Sequence, residues 1–207
     1  MINMSTNVAD EIIAIEWRMF DATQNRGGRA ACQDDMNTFY IMRSSQLEAW
    51  NEFMCESYCD DLLAAQSAGR NLVSEKYGYM MERTNPVEFE EIKGQLPPRD
   101  PEKDAIIDEI CLAHTEWLDK LAKWYPHLAG QGRPIHRTGD AVDVTSFETY
   151  LWGELATYSL KTVKLYAEYV RKLQDDGLNM NTMIMNNMVT KYGYNSMQAA
   201  EEKLAGK

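Results

Sequence analysis

Between Asn7 and Ala22 the apolar residues Ile12, Ile13, Trp17, Met19 and Phe20 recur at helical spacing, and Glu16 lies on their side. A carboxylate on an apolar face needs a partner when that face is buried. A glycine loop follows, GGRAACQDD, in which Asp34 or Asp35 can cap a helix. No glycine or proline then interrupts the chain before Gly69, which predicts one long helix over 36–67. A further helix is expected from about Leu72 to Arg83, then a linker rich in proline and acid. Within that linker Asn85-Pro86-Val87-Glu88 reads as a capping box, and Asp100-Pro101 opens the next helix in the same way.

The second half repeats the order. Pro101–Tyr125 carries Ile106, Ile107, Ile110, Trp117 and Leu121 at helical spacing, and Pro126 ends it. Residues 144–176 predict a second long helix closed by Gly177, then Met180–Tyr192 closed by Gly193, and a short last helix after Ser196. No stretch alternates apolar and polar residues as a strand does, so the chain is expected to be all-α. A shared offset of 108 residues relates Asp35 to Asp143, Phe39 to Phe147, Leu47 to Leu155, Trp50 to Tyr158, Tyr58 to Tyr166, Gly69 to Gly177 and Asn71 to Asn179. The stretch starting at Gly27 thus has a degenerate copy starting at Gly132. Gly28-Arg29 matches Gly132-Arg133, and Lys76–Tyr79 matches Lys191–Tyr194 after seven extra residues, about two helical turns. The expectation is one domain, 1–207, of two degenerate repeats (7–83 and 101–207) joined by a linker (84–100). They would be related by a pseudo-two-fold axis, with about seven to eight helices in all.

Composition narrows the function classes. Thirty-two acidic against twenty-one basic side chains leave a net charge of -11, which makes nucleic acid or an anionic membrane a poor partner. No apolar run approaches a membrane helix and the start MINMSTNVADEII lacks the pattern of a signal peptide, so a cytoplasmic location is expected. The four cysteines have no framework spacing and read as reduced thiols.

On the two long helices the inward positions are expected to be Phe39, Met42, Arg43, Gln46, Leu47, Trp50 and Met54, and Phe147, Tyr150, Leu151, Glu154, Leu155 and Tyr158. Polar residues interrupt both faces at one level. Arg43 is therefore expected to be buried and to reach Glu154 first, or Glu148 or Glu16. Such a cluster reads either as a structural ion pair or as the lining of a ligand site where the repeats meet. In the glycine loop, Cys32 follows Arg29 and precedes a helix, which favours the thiolate, whereas Asp34 and Asp35 oppose it. The alternative is a small apolar plug. Arg133 and His136 in the paired loop could hold an anion or move a proton, or could simply be solvated.

Metal readings are weak. None of the three histidines lies three residues after a glutamate as a di-iron bundle requires. Cys55 with Cys59, and the run Met180, Met183, Met185 and Met188, read as core filler. No cofactor is implied, since nucleotide-binding and hydrolase-elbow motifs are absent. Lys76 and Lys191 read as long stems reaching to solvent.

Further residues carry a resemblance. Glu16-Trp17 with Met19-Phe20, the loop 27–35, Met42–Gln46 with Glu48-Ala49-Trp50, and Gly69–Leu72 leading to Glu75-Lys76-Tyr77 are similar to the bacterial domain-of-unknown-function family labelled forty-one twenty-five. In the second half Gly132-Arg133-Pro134, Ser146–Leu151, Gly153-Glu154-Leu155 and Thr157-Tyr158-Ser159 continue it over nearly the whole chain. The resemblance implies no activity and no catalytic residue. It does suggest a helical accessory role beside nucleotidyltransferase-like domains, although the Arg-x(4-6)-His ribonuclease motif of some such helical partners is missing.

Two functional expectations follow. One is a site for a small polar molecule at the repeat interface, lined by Glu16, Arg29, Cys32, Asp34, Arg43, Gln46, Arg133, Glu148, Tyr150 and Glu154. Acid–base work there falls to Glu154 or Asp34 before nucleophilic attack by Cys32, which has no histidine placed beside it. The other is a non-catalytic helical accessory or interaction protein, paired with itself or another chain, whose core charges only fix how its halves dock.

Overall fold

The computed structural model describes residues 4–24, 28–142 and 144–206. Gly27 and Asp143 of the repeated pattern, and the terminal positions 1–3 and 207, lie outside the described residues. Among those described the protein is all-helical, the only strand-like feature being one bridge between Ala141 and Val144.

Eleven α-helices are present among the described residues, more than the seven to eight expected. The first, α1 (Met4–Asp21), is followed by a 3-10 turn at Ala31–Asp34 and by α2 (Met36–Leu47). Asp35, rather than Asp34, caps α2 by accepting from the Thr38 amide at 2.9 Å, and this bond holds its carboxyl below the usual aspartate value. The predicted helix 36–67 is broken. After α2 the chain makes a tight turn and restarts as α3 (Glu52–Ser67), because Asn51 sits in extended backbone and its side chain accepts from the Met54 amide. The helix predicted over 144–176 breaks in the same manner into α8 (Phe147–Ala156) and α9 (Leu160–Asp175), where Ser159 caps Thr162. A cap can start a new helix without glycine or proline, which is why breaker residues alone did not reveal either turn.

The remaining helices lie close to their predicted bounds. They are α4 (Leu72–Thr84), α6 (Pro101–Trp124), α10 (Met180–Lys191) and α11 (Met197–Ala205). The linker folds further than expected into α5 (Pro86–Ile92) and a 3-10 turn, and Pro126 starts a short α7 (Pro126–Ala129). Gly69 and Gly177, at φ +68° and +69°, close α3 and α9 in the left-handed conformation that only glycine adopts without strain.

The packing places α1 against α2, α3 and α4, and α6 against α8, α9 and α10. Helices α3 and α9 lie on each other, α4 lies on α8, and α10 on α2. At the centre are Met54, Leu62, Leu155, Tyr158, Val163 and Tyr166, all essentially inaccessible. Trp50 sends its ring edge toward Tyr58, Tyr158 and Tyr166 at centroid separations of 5.4 to 6.3 Å, which fixes the turn between α2 and α3 against α9. Of the positions expected to face inward, Met42 is the exception, being about half exposed.

The Lys76–Tyr79 and Lys191–Tyr194 segments do not stand at matching places. Lys76 and Gly78 lie within α4, whereas Lys191 ends α10 and Gly193 follows it at φ +84°. The seven extra residues therefore move the second segment to a helix end.

Candidate functional site

The polar interruption of the apolar faces assembles into one buried network. Arg43 is 9% exposed and grips Glu16 with two bonds, Nε to Oε2 at 2.6 Å and Nη2 to Oε1 at 2.7 Å. Its Nη1 donates to Glu154 Oε1 at 3.0 Å and to Gln46 Oε1. Glu16, the last alternative in the sequence reading, is thus the bidentate partner and Glu154 the single-bond one, because α1 lies directly against α2. Glu16 Oε1 also accepts from the Tyr58 hydroxyl at 2.6 Å, and Glu154 Oε1 from the Tyr158 hydroxyl at 2.9 Å. Lys76 Nζ lies 3.6 Å from Glu154 Oε2 and donates to the Tyr150 hydroxyl at 2.8 Å. Lys76 does not reach out to solvent as expected, because α4 is pressed onto α8 and a carboxylate waits there.

The network balances its charge, with two carboxylates against two cations. Burial works against the ionised Glu154, but Arg43, Lys76 and the bonds from Tyr158 and Arg43 outweigh it and hold the carboxyl at about 2. Burial likewise opposes the charges of Arg43 and Lys76. Glu16 and Glu154 outweigh it for the former, Tyr150 and Glu154 for the latter, so both sit above their ordinary values. Burial, followed by the neighbouring carboxylates, keeps Tyr58 and Tyr158 protonated as donors. Chemically the cluster is a saturated ionic lock, since every carboxylate oxygen faces a donor or a cation.

The other named residues lie elsewhere. Glu148 accepts from the Arg137 backbone amide at 2.7 Å and from the Arg137 side chain, and has no bond to Arg43. Arg29 joins Asp34 at 2.8 Å and Asp21 at 2.6 Å on an exposed loop, and it also donates to the Gln33 carbonyl. Cys32 is exposed beside this loop. His136 faces Asp119 at 3.0 Å, and Lys191 pairs with Glu48 at 2.6 Å. The structure therefore joins Glu16, Arg43, Gln46, Glu154 and, through Lys76, Tyr150, and separates them from Arg29, Cys32, Asp34 and Glu148. Cys55 is half-buried and Cys59 and Cys111 are buried, and burial raises all three thiols. Among the described residues no group of three or more histidine, cysteine, aspartate and glutamate side chains is placed to hold a metal, and no helix is long and apolar enough to cross a membrane.

Two features escaped the sequence reading. His114 on α6 is fully enclosed and bonded at Nδ1 to Asn181 Oδ1 (2.8 Å) and at Nε2 to the Tyr166 hydroxyl (3.1 Å). The Asn181 amide nitrogen donates to the His114 carbonyl, so its oxygen faces the ring and the Nδ1 proton is required. Burial holds this imidazole down at about 4, the Asn181 bond working the other way. The second feature is a cleft of about 670 Å³ where α4 and α5 meet the loop between α7 and α8. Thr23, Asn71 and Ser74 supply polar walls, Met80, Met81, Leu96 and Val142 apolar ones, and Arg133 stands at the edge. The Arg133 guanidinium stacks on the Tyr150 ring at 4.8 Å and donates to the Thr145 carbonyl at 3.3 Å, and among the described residues it has no carboxylate partner. A smaller pocket of about 370 Å³ shares Thr23 and Gln24 with it and has Arg29 in its lining. The ionic lock lines neither.

The fold and this lock define an all-helical protein built around buried, mutually neutralised charge. The chain belongs to the family of proteins of unknown function designated DUF4125, whose description matches residues 6–202. No curated protein and no solved structure matches it.

Proposed function

We propose that the chain is a non-catalytic helical protein that binds a small organic molecule in the cleft between α4, α5 and the 133–145 loop, and that the ionic lock holds the two halves in the arrangement that forms it. The observation that carries this reading is the contrast between the two polar regions. In the lock every carboxylate oxygen already faces an internal donor or cation, and a carboxyl at about 2 is committed to its ionised form at neutral pH. The cleft has the volume of a small-molecule site, mixed walls and an arginine fork with capacity left.

The same proposal includes descent from a duplicated half. Helices α3 and α9 begin and end 108 residues apart. Asn71 caps α4 and donates to the Met19 carbonyl on α1, and Asn179 caps α10 and donates to the Trp117 carbonyl on α6. Tyr58 and Tyr166 send their hydroxyls to Glu16 and His114 on those same two helices. A pseudo-two-fold axis between α3 and α9 accounts for these pairs. The halves then diverged, Tyr58 meeting a carboxylate where Tyr166 meets an imidazole. An accessory role beside a catalytic partner domain fits a chain whose central carboxylates and histidine are engaged by internal partners.

The test is a thermal-shift screen of a metabolite library against wild type and Met81→Trp, a substitution that fills the cleft. A ligand that stabilises wild type and leaves the variant unmoved is expected. Ligands that stabilise both equally would place binding elsewhere.

A further inference from the structure

The cleft's ligand class follows from its walls, given the reading that the cleft is the binding site. Arg133 has five N–H donors in a planar fork, and its only acceptor among the described residues is the Thr145 carbonyl. In a chain with eleven more acidic than basic side chains, a guanidinium left without a carboxylate is an unspent recognition element. The exposed Arg133 guanidinium lies over the Tyr150 ring at 4.8 Å, and Lys76 anchors that ring by donating to its hydroxyl at 2.8 Å. The same cleft is lined by the apolar side chains of Met80, Met81 and Leu96, with the exposed Val142. Glu75 and Glu88 line the same cleft. Glu75 is paired with Arg70 at 2.6 and 2.8 Å, so it is the net negative charge of the chain that opposes a multiply charged ligand.

We infer that the cleft takes a small organic monocarboxylate with an apolar body, its carboxylate bidentate on Arg133 and its body against the Met80–Leu96 wall. A planar carboxylate matches the guanidinium fork with two parallel bonds, and one negative charge neutralises it. A phosphate ester brings a second negative charge to a chain whose net charge is already -11 and is disfavoured.

Calorimetric titration at fixed ionic strength tests this with three probes, 3-phenylpropionate, its neutral amide and 2-phenylethyl phosphate. Wild type is expected to bind the carboxylate roughly tenfold or more tightly than the amide, and the phosphate no better than the carboxylate. Arg133→Gln should erase the preference for the acid, Arg133→Lys should keep part of it, and Met81→Trp should weaken the acid and the amide alike. Equal binding of acid and amide, both lost in Met81→Trp, would overturn the anionic ligand class while leaving the cleft as the site. Tighter binding of the phosphate would overturn the monoanion assignment. Absence of saturable carboxylate binding into the millimolar range, or binding unchanged by both Arg133→Gln and Met81→Trp, would overturn the inference.

Discussion

Replacing Arg43 by methionine removes the one group that touches both buried carboxylates. Glu154 keeps Lys76 at 3.6 Å and the Tyr158 hydroxyl, but among the described residues of the network Glu16 keeps only the Tyr58 hydroxyl. Breaking a buried ion pair costs on the order of 3–5 kcal/mol, because a desolvated charge is left behind. The Glu16 side should dominate, since it loses both bonds of a bidentate pair. For a chain of this size that loss lowers the melting temperature by roughly 6–20 °C. Arg43→Met with Glu16→Gln removes the stranded charge and keeps an acceptor for Tyr58, so it should recover more than Arg43→Met with Glu154→Gln. Urea unfolding at neutral pH, followed by tryptophan fluorescence, measures all four proteins. A single-variant loss below about 1 kcal/mol, or two double variants no better than the single one, would refute the assignment of a desolvated lock.

Three further outcomes are expected. His114 has a folded value of about 4 against an ordinary 6.5, so the unfolded chain takes the proton first; its stabilisation is full above 6.5 and falls by about 3 kcal/mol as pH drops toward 4. Glu154, at about 2 against 4.5, adds a loss at still lower pH, and urea midpoints measured from pH 7 to 4 should fall less steeply in His114→Gln than in wild type. A methyl group added at Gly153 would stand 2.8 Å from Met80 Cγ and 3.0 Å from the Lys76 carbonyl, so Gly153→Ala should cost about 1–3 kcal/mol in thermal unfolding, against about 0.5 or less for Gly94→Ala, where nothing lies within 4 Å. Asn51→Ala and Ser159→Ala, each removing a cap, should each cost about 1 kcal/mol by the same measurement.

Much of the helical order was legible because amphipathic spacing and cap chemistry are local. The bounds of α4, α6 and α10 follow from Asn71, Asp100-Pro101 and Asn179 with little help from tertiary contact. The breaks after Leu47 and Ala156 were less legible, since Asn51 and Ser159 are ordinary helix-surface residues until the chain has turned. Arg43 and Glu154 stood out as polar residues on apolar faces, but the choice between Glu16 and Glu154 as the main partner depends on which helix lies over α2. Lys76 was read as reaching solvent, and the role of His114 was missed, for the opposite reason. A lysine stem on an apolar face commonly reaches solvent, and a histidine's burial is set by Asn181 and Tyr166, far away in sequence. The cleft combines α4 and α5 with a loop of the other half, and no single stretch carries that signature.

The proposal that the cleft binds while the lock supports is tested most directly by native mass spectrometry of the protein purified from its own cells. Wild type, Met81→Trp and Glu154→Gln are compared at a temperature where all three are folded. The account predicts one small-molecule adduct on wild type, its retention on Glu154→Gln and its loss from Met81→Trp. An adduct that survives Met81→Trp and disappears from Glu154→Gln, or a bare mass in every sample, would contradict it.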